Sequence, residues 1–330
     1  MNSPFRPGSG VPSLADLIRD LPTFATPQST SGLFQNIGSI TVSQRFDKLL
    51  SNLKLTHDQR QDGVTKANGV YRCLNAHYYR RVVGSTGAFV GSWGKATEIR
   101  PPRDVDLLYW LPNDVYWRVE RHIGNKQSQL LQEVKGVLSA TYPTTRMRGD
   151  GQVVVVPFES YSVEVVPAFR LQSGKALICD TNNGGRYEET DPVAEIRAVN
   201  RSDEQTKGNT RNLIRMQKRW QEHCSVPLKS FVIELLAIEF LDIWPYRANI
   251  SVYYDWMVRD FFRFLKQKPV CSFLLIPGTF QIIWLGEEWR SRAESASSRA
   301  EKACQFEADK MAHAAGEEWQ KIFGEFIPIS

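Results

Sequence analysis

Two aspartates, Asp104 and Asp106, flank a single valine at the start of an apolar run, and this spacing suits metal chemistry. Side chains two positions apart on a β-strand point to the same face, so a strand here would hold both carboxylates side by side. Adjacent carboxylates repel each other unless a cation lies between them. Hard oxygen ligands favour Mg²⁺, which binds through few carboxylates together with substrate phosphates. Two such ions, with Mn²⁺ as a possible substitute, could activate a hydroxyl and neutralise a leaving pyrophosphate.

A Gly–Ser pair upstream strengthens this interpretation. Gly91 and Ser92 follow a short predicted strand over Ala88–Val90 and precede the aspartates by an eleven-residue connection. Glycine allows the backbone to approach a triphosphate closely, and the serine hydroxyl can bind a phosphate oxygen. By itself, an Asp-x-Asp motif at a strand edge is more often a pair of solvated charges than a catalytic site. The upstream Gly–Ser pair makes the catalytic interpretation the favoured one. The other Gly–Ser, Gly84–Ser85, has no strand before it and is interpreted as a loop.

A third carboxylate is expected on a neighbouring strand. Glu164 lies inside the β-branched, apolar run Tyr161–Val166, where burying an unpaired carboxylate would cost several kcal/mol. It therefore faces either solvent or a cation. Glu159 is the rival candidate, but it lies in the turn after Pro157, and Glu164 is favoured as the third metal ligand.

The elements that must position these residues fall into three blocks. Apolar spacing at Phe46, Leu49 and Leu53 predicts helices over Ser43–Tyr79, followed by short strands and one more helix. After about residue 192 the pattern is mostly helical, interrupted by a hydrophobic stretch over Cys271–Leu285. The individual ranges are helix at 125–141, strands at 153–156, 161–166 and 176–179, and helices at 192–200, 209–223, 226–243, 250–266 and 287–315. This order predicts an α+β protein with two lobes rather than a doubly wound sheet.

One predicted helix carries cations on one side. Between Lys207 and Gln221 there are five basic residues and no acidic ones. The basic residues fall in one sector of the helix, opposite Leu213, Met216 and Trp220, which predicts one packed face and one positive stripe of phosphate-binding size. A solvated face is the alternative, although acids normally intersperse such faces.

Composition bounds the remaining possibilities. The 330 residues are 42% hydrophobic and 23% charged, which is ordinary globular usage for about two lobes. The formal charge of +5 is compatible with an anionic ligand, and five scattered Cys without a CxxC pair suit a reducing cytosol. We expect a cytoplasmic protein with no transmembrane helix and no signal peptide. Residues 1–40, rich in Pro, Ser and Gly, are predicted to form a flexible arm.

Aromatic residues are mostly interpreted as core. Trp244, Trp256 and Trp284 lie among apolar neighbours in the sequence. Tyr187, in a predicted Gly-Gly-Arg-Tyr loop at the lobe junction, is the better candidate for stacking on a nucleotide base.

Together the motifs resemble a known superfamily. The polymerase-β-like nucleotidyltransferases share the Gly-Ser pair, the Thr97-x-Ile99 segment, the Asp-Val-Asp motif and a third acid at Glu164. Within it the chain most resembles the CD-NTases, bacterial relatives of cyclic GMP–AMP synthase encoded in anti-phage CBASS operons, over about residues 43–328. The later segments that carry this resemblance are 190–192, 213–220, 228–236 and 319–324.

The resemblance implies a two-lobed fold, with a mixed-sheet catalytic lobe and spine helices over 41–190 and a helical lobe over 191–330. It implies a Mg²⁺-dependent enzyme that joins NTPs, at least one of them a purine such as ATP, into a cyclic di- or trinucleotide. Asp104, Asp106 and Glu164 would bind the metals, and Glu164 would help orient or deprotonate the attacking hydroxyl. The triphosphate would be held by residues of both lobes, namely Gly91, Ser92, Lys218 and Ser230.

The resemblance also implies a monomer whose product acts on a separate effector protein. The animal DNA-sensing relative has a zinc-binding insertion that this sequence lacks, so no structural zinc and no DNA activator are expected. Two other functions stay open. One is a linear nucleotidyltransferase, of the oligoadenylate or RNA-tailing kind, and the other is a non-catalytic nucleotide- or RNA-binding module.

Overall fold

A computed structural model describes residues 40–81 and 84–330. The predicted arm over residues 1–40 therefore lies almost wholly outside the described residues. Within the described part of the chain, no helix is both long and apolar enough to cross a membrane.

The catalytic lobe is built on a mixed sheet, which confirms the predicted α+β class. In the described residues seven strands form this sheet: β1 (Gly87–Phe89), β2 (Asp104–Trp110), β3 (Arg148–Asp150), β4 (Val153–Pro157), β5 (Ser162–Arg170), β6 (Ala176–Asp180) and β7 (Arg186–Thr190). Their order is β1-β2-β5-β4-β3, and β6 and β7 continue from the far end of β5. β2 and β5 are parallel, and the remaining pairs are antiparallel.

One face of this sheet is covered by helices. Val105, Leu107 and Tyr109 of β2 are fully buried in the same core as Val70 and Leu74 of the long helix α2 (His57–Tyr78). Also packed in this lobe are α3 (Gly91–Lys95), α4 (Asn113–Val119) and α5 (Lys126–Thr141). Because alternate β2 side chains fill this core, Asp104 and Asp106 must point to the other face.

The helical lobe contains the second large core. It is formed by α1 (Val42–Leu53), α6 (Pro192–Gln205), α7 (Asn209–His223), α8 (Ser230–Ile243), α9 (Tyr254–Gln267), α10 (Arg290–Ala308) and α11 (Ala312–Phe323). The buried Phe46 and Leu49 of α1 belong to this core and not to that of the catalytic lobe. The prediction places both N-terminal helices with the catalytic lobe, whereas the apolar stripe of α1 packs against the C-terminal helices.

Arg45 on α1 ties the two ends of the helical lobe together. Its side chain is fully buried and pairs with Glu307 at 2.9 Å. The guanidinium also donates to the carbonyls of Ala312, Pro328 and Ile329, and Ile327 beside them is fully buried. A buried guanidinium is stable only when its donors are satisfied, as they are here by these four partners.

Three elements differ from the sequence predictions. Residues 186–190 form the edge strand β7 rather than a loop, and Tyr187 packs there against Tyr116 and Phe169. The helix predicted over 287–315 is interrupted at residues 309–311, where Lys310 has a positive φ. The stretch over 271–285 forms a hairpin of β8 (Phe273–Leu275) and β9 (Ile282–Trp284).

The burial of two tryptophans also differs from the sequence prediction. Trp244 is buried as predicted, but Trp256 is 39% exposed and Trp284 is 64% exposed. Trp284 alternates along β9 with the half-buried Ile283, so the hairpin turns the indole away from the core.

Candidate active site

The three predicted carboxylates lie on two adjacent parallel strands. Asp106 on β2 is directly opposite Glu164 on β5, and Asp104 is opposite Ser162. Residues opposite one another in a sheet share a face, so the three carboxylates stand on the face turned away from the α2 core. Val105 between them is fully buried, as the alternation requires.

Burial and the mutual repulsion of these carboxylates raise their pKa values. Burial and the neighbouring Asp104 raise the pKa of Asp106 to about 6, against the opposing influence of Lys218 and Lys95. Burial, followed by the charges of Asp104 and Asp106, raises the pKa of Glu164 to about 7. Burial also raises the pKa of Asp104. Such mutual repulsion is relieved when a divalent cation binds between the groups.

Gly91 makes room for Asp106. Its φ is +55°, and a Cβ built on it would lie 1.9 Å from Oδ2 of Asp106. The backbone N–H of Ser92 donates to the Asp106 carboxylate, which lowers the pKa of that group. A glycine is required at this position both for the backbone conformation and for the close approach.

A cavity of about 280 Å³ lies beside the carboxylates, and we call it the carboxylate cavity. It lies where the two lobes meet. Its walls include Gly91, Ser92, Asp104 and Asp106 from the catalytic lobe and Lys218, Glu222 and Ser230 from the helical lobe. Six of the seven predicted site residues thus line one cavity, while Glu164 lies beside Asp106 outside this lining. Ser230 is exposed at the start of α8, with its hydroxyl donating to Gln221 at 3.0 Å.

Lys218 is bonded within a buried network that sequence reasoning missed. Its Nζ lies 2.6 Å from Oε1 of Glu234 on α8 and donates to Thr97 Oγ1 at 2.9 Å. Lys95 on α3 reaches the other carboxylate oxygen of Glu234 at 3.0 Å and also pairs with Glu195 at 2.9 Å. Lys95, Lys218 and Glu234 are each no more than 5% exposed. The network joins the two lobes, because Lys95 and Thr97 follow Gly91 whereas the other members belong to the helical lobe.

The charges in this network are strongly coupled. Burial opposes the ionisation of Glu234, but the ammonium groups of Lys218 and Lys95 outweigh it and lower its pKa to about 2. Burial would lower the pKa of Lys95, but Glu234 and Glu195 together raise it. Both ammonium groups also act on Asp106. Glu234 therefore fixes two cations close to the carboxylate cavity.

The rest of the predicted positive stripe on α7 has another role. Arg211 donates to the Lys95 carbonyl at 2.9 Å, Arg215 to the Ala96 carbonyl, and Arg219 to the Phe323 carbonyl at 2.8 Å. Acids outside the stripe, including Asp203 and Glu222, pair with two of these arginines. These three arginines bond within the chain, so the stripe is not a row of unpaired cations, and Lys218 is the member that lines the carboxylate cavity. The opposite face is buried as predicted, since Leu213, Met216 and Trp220 are fully buried.

The donor set fits a hard divalent cation. Asp104, Asp106 and Glu164 supply only carboxylate oxygens, the ligands that Mg²⁺ and Mn²⁺ prefer. Among residues 40–81 and 84–330, no three His, Cys, Asp or Glu side chains converge closely enough to enclose an ion on their own. Mg²⁺ sites commonly use one or two carboxylates and complete their coordination with phosphate oxygens and water.

Comparison with known proteins identifies this arrangement. Residues 40–202 match the family model of the Second Messenger Oligonucleotide or Dinucleotide Synthetase domain, SMODS. A protein of Bacillus cereus (strain VD146) named a probable cyclic nucleotide synthase is 20% identical over 332 residues, covering 87% of this chain and 98% of that protein.

Solved structures share the fold over most of the chain. CdnC of Escherichia coli MS115-1 with ATP superimposes with a TM-score of 0.63 at 16% identity, covering 87% of this chain and 98% of that one. A mutant of the Vibrio cholerae di-nucleotide cyclase DncV, in complex with ATP and GTP, gives a TM-score of 0.66 at 12% identity, covering 87% and 97%.

Fold and site together define a nucleotidyltransferase, with an Asp-Val-Asp strand paired in parallel to a strand bearing the third acid. Residues 40–202 match the SMODS family, and the fold over most of the chain is similar to those of CdnC and DncV, as the resemblance to the CD-NTases predicts. This confirms the predicted two-lobed fold and enzyme class.

Proposed function

We propose that this protein is a CD-NTase, a Mg²⁺-dependent cyclic nucleotide synthase that joins NTPs into a cyclic di- or trinucleotide. The observation that carries the proposal is the register of Asp106 against Glu164, beside a cavity that the two lobes share. The name of the Bacillus cereus relative and the nucleotides bound to CdnC and DncV support NTP substrates and a cyclic product.

Each site residue has a task in this reaction. Asp104 and Asp106 would hold the metal ions, which supply charge neutralisation at the triphosphate and lower the pKa of the attacking hydroxyl. Gly91, Ser92 and Ser230 lie where the phosphate chain would pass. The buried Lys218 and Lys95 add positive potential behind it, held by Glu234. Positioning and charge neutralisation, rather than covalent chemistry, account for catalysis of this kind.

Glu164 is proposed as the proton acceptor. It lies directly opposite Asp106 on the parallel strand, beside the region where the metals would hold the attacking hydroxyl. The ribose hydroxyl oxygen would attack the α-phosphorus of the donor, the bond to pyrophosphate would break, and the hydroxyl proton would pass to a Glu164 carboxylate oxygen. A second round of the same step would close the ring. We propose further that the product acts on a separate effector in anti-phage (CBASS) defence.

Product analysis tests this function. The protein is incubated with all four NTPs and Mg²⁺ or Mn²⁺, one NTP being radiolabelled at a time, and the products are treated with phosphatase and separated by chromatography. A phosphatase-resistant product made by the wild type, and absent with Asp104→Asn or Asp106→Asn, is expected, and mass spectrometry gives its ring size. Pyrophosphate release with only phosphatase-sensitive products would instead establish a linear transferase.

A further inference from the structure

A second cavity, of about 610 Å³, lies between the two lobes and the β8–β9 hairpin. We call it the hairpin cavity. Its walls are Glu188, Glu189 and Thr190 of β7, the start of α8, and hairpin residues that include Ile276, Ile282 and Trp284. Phe231 lines this cavity and the carboxylate cavity as well, so the two are neighbours across one side chain.

The charges of the hairpin cavity do not suit phosphate. Its charged walls are Glu188, Glu189, Glu195 and a single cation, Lys229. Glu195 is the carboxylate that pairs with Lys95 at 2.9 Å, and the Lys95 Nζ lies 4.4 Å from the centroid of the Phe231 ring. Both cavities have more acids than cations in their walls, but the acids of the carboxylate cavity include Asp104 and Asp106, which would hold Mg²⁺ and so bind phosphate there. An elongated ligand with one anionic and one uncharged end would place its uncharged end in the hairpin cavity.

Trp284 gives this cavity an exposed aromatic wall. The opposite face of the hairpin anchors it, since Leu274 is buried and Ile283 packs against the helical core. Across the strands, Phe273 contacts the Trp284 indole edge-on, with ring centroids 5.5 Å apart. The indole is nevertheless 64% exposed. An exposed indole is the kind of surface on which nucleic-acid bases stack, and this contact accepts any base because every base has a π-face.

Resting on the proposed function, we propose that Trp284 is the stacking platform for the nucleobase of an NTP whose phosphates lie in the carboxylate cavity. Both synthase substrates carry an anionic triphosphate at one end and a flat, uncharged base at the other, so an NTP with its phosphates beside Asp104 and Asp106 would direct its base toward the neighbouring cavity. Purines gain more from the indole than pyrimidines do, because their two fused rings cover more of it. Trp284 is thus a binding and specificity residue rather than a core residue.

The test measures binding rather than turnover. Dissociation constants for the α,β-methylene analogues of ATP, GTP, CTP and UTP are measured with Mg²⁺ by titration calorimetry on the full chain. Trp284→Ala is expected to weaken binding of the tightest-binding purine analogue by about 5- to 150-fold, the range that corresponds to the roughly 1–3 kcal/mol of base stacking. Trp284→Phe, which keeps an aromatic face, should recover part of this loss. Melting temperatures verify that each variant is folded.

Phe273→Ala is the matched control. It removes the other member of the same cross-strand pair, on the same face of the hairpin, but Phe273 is not among the cavity walls. Its dissociation constants should stay within about twofold of wild type, a margin small beside the loss expected for a stacked base. If wild type and Trp284→Ala bind equally, or if Trp284→Ala and Phe273→Ala lose affinity equally, the role of Trp284 is overturned but the proposed function is not. Failure of the wild type to bind any analogue would contradict the proposed function as well.

Discussion

Replacing Glu234 by glutamine tests whether the buried network at the lobe boundary depends on its charge. Glu234 is 3% exposed and accepts from Lys218 at 2.6 Å, from Thr97 at 2.9 Å and from Lys95 at 3.0 Å. Glutamine keeps the shape but has one acceptor oxygen instead of two and turns an NH₂ group toward an ammonium. Lys95 keeps Glu195, whereas Lys218 loses its carboxylate.

The magnitude follows from this asymmetry. Removing one partner of a buried ion pair costs about 3–5 kcal/mol, because the remaining charge is left uncompensated. Lys218→Met alone should cost much less, since Glu234 remains paired with Lys95. The double variant Lys218→Met/Glu234→Gln removes the stranded ammonium and should regain most of the stability that Glu234→Gln loses.

Urea unfolding of the four proteins forms a double-mutant cycle. The expected coupling energy is about 2–3 kcal/mol, within the range found for residues in one salt-bridge network. Both variants without Lys218 should have reduced synthase activity, so stability and activity would separate in the double variant. If Glu234→Gln unfolds within about 1 kcal/mol of wild type, or if the double variant is no more stable than Glu234→Gln, the electrostatic account of this network is wrong.

Three further outcomes are expected. Gly91→Ala should lower product formation by about 100-fold, because the added Cβ would lie 1.9 Å from the Asp106 carboxylate and displace a reacting group. Gly84→Ala is the control, because Gly84 also has a positive φ but a Cβ there would meet no atom within 4 Å. Its product formation should stay near that of the wild type. Calorimetry should show that Mg²⁺ and an NTP analogue bind more tightly as the pH rises through about 6 and 7, because protons compete with the metal for Asp106 and Glu164. The free energy of unfolding of the metal-free protein should instead fall as the pH rises over this range. The raised pKa values mean that the folded state holds more protons there than the unfolded state does. A flat or inverted pH dependence of metal binding would contradict the metal-ligand role of these two residues. Arg45→Met should lower the melting temperature and expose the segment after residue 323 to proteolysis, because it removes the hydrogen bonds to three carbonyls; an unchanged cleavage rate would show that apolar packing alone holds this segment.

The chemistry of the site was predictable where it depends on short spacing. Asp104 and Asp106 are two residues apart, so the period of a strand alone places their carboxylates together. Glu164 was found by an energetic argument, because a carboxylate in a β-branched strand needs a partner. The register that sets it opposite Asp106 depends on pairing between strands more than fifty residues apart, which local pattern does not specify.

Ion pairs between residues far apart in the sequence were the feature that sequence reasoning did not predict. The basic stripe on α7 contains no acidic residue, and the sequence was therefore interpreted as favouring a phosphate-binding face. The acids that pair with it come from other positions, such as Asp203 before the helix and Glu234 on the next one. Trp284 shows the same limit, since its apolar sequence neighbours could not reveal that the hairpin has one buried and one exposed face.

The contact between Arg45 and the segment at 327–329 has a consequence for the order in which the chain can fold. Helix α1 is made before the mixed sheet, yet the partners of its Arg45 lie more than 250 residues later. The residues between them include the whole mixed sheet, whose contacts are complete once about residue 190 has emerged. The sheet can therefore form during synthesis, while the helical core must wait until its last segment leaves the ribosome. Since the carboxylate cavity needs both lobes, a nascent chain would have no complete site for joining nucleotides before its helical lobe has been made.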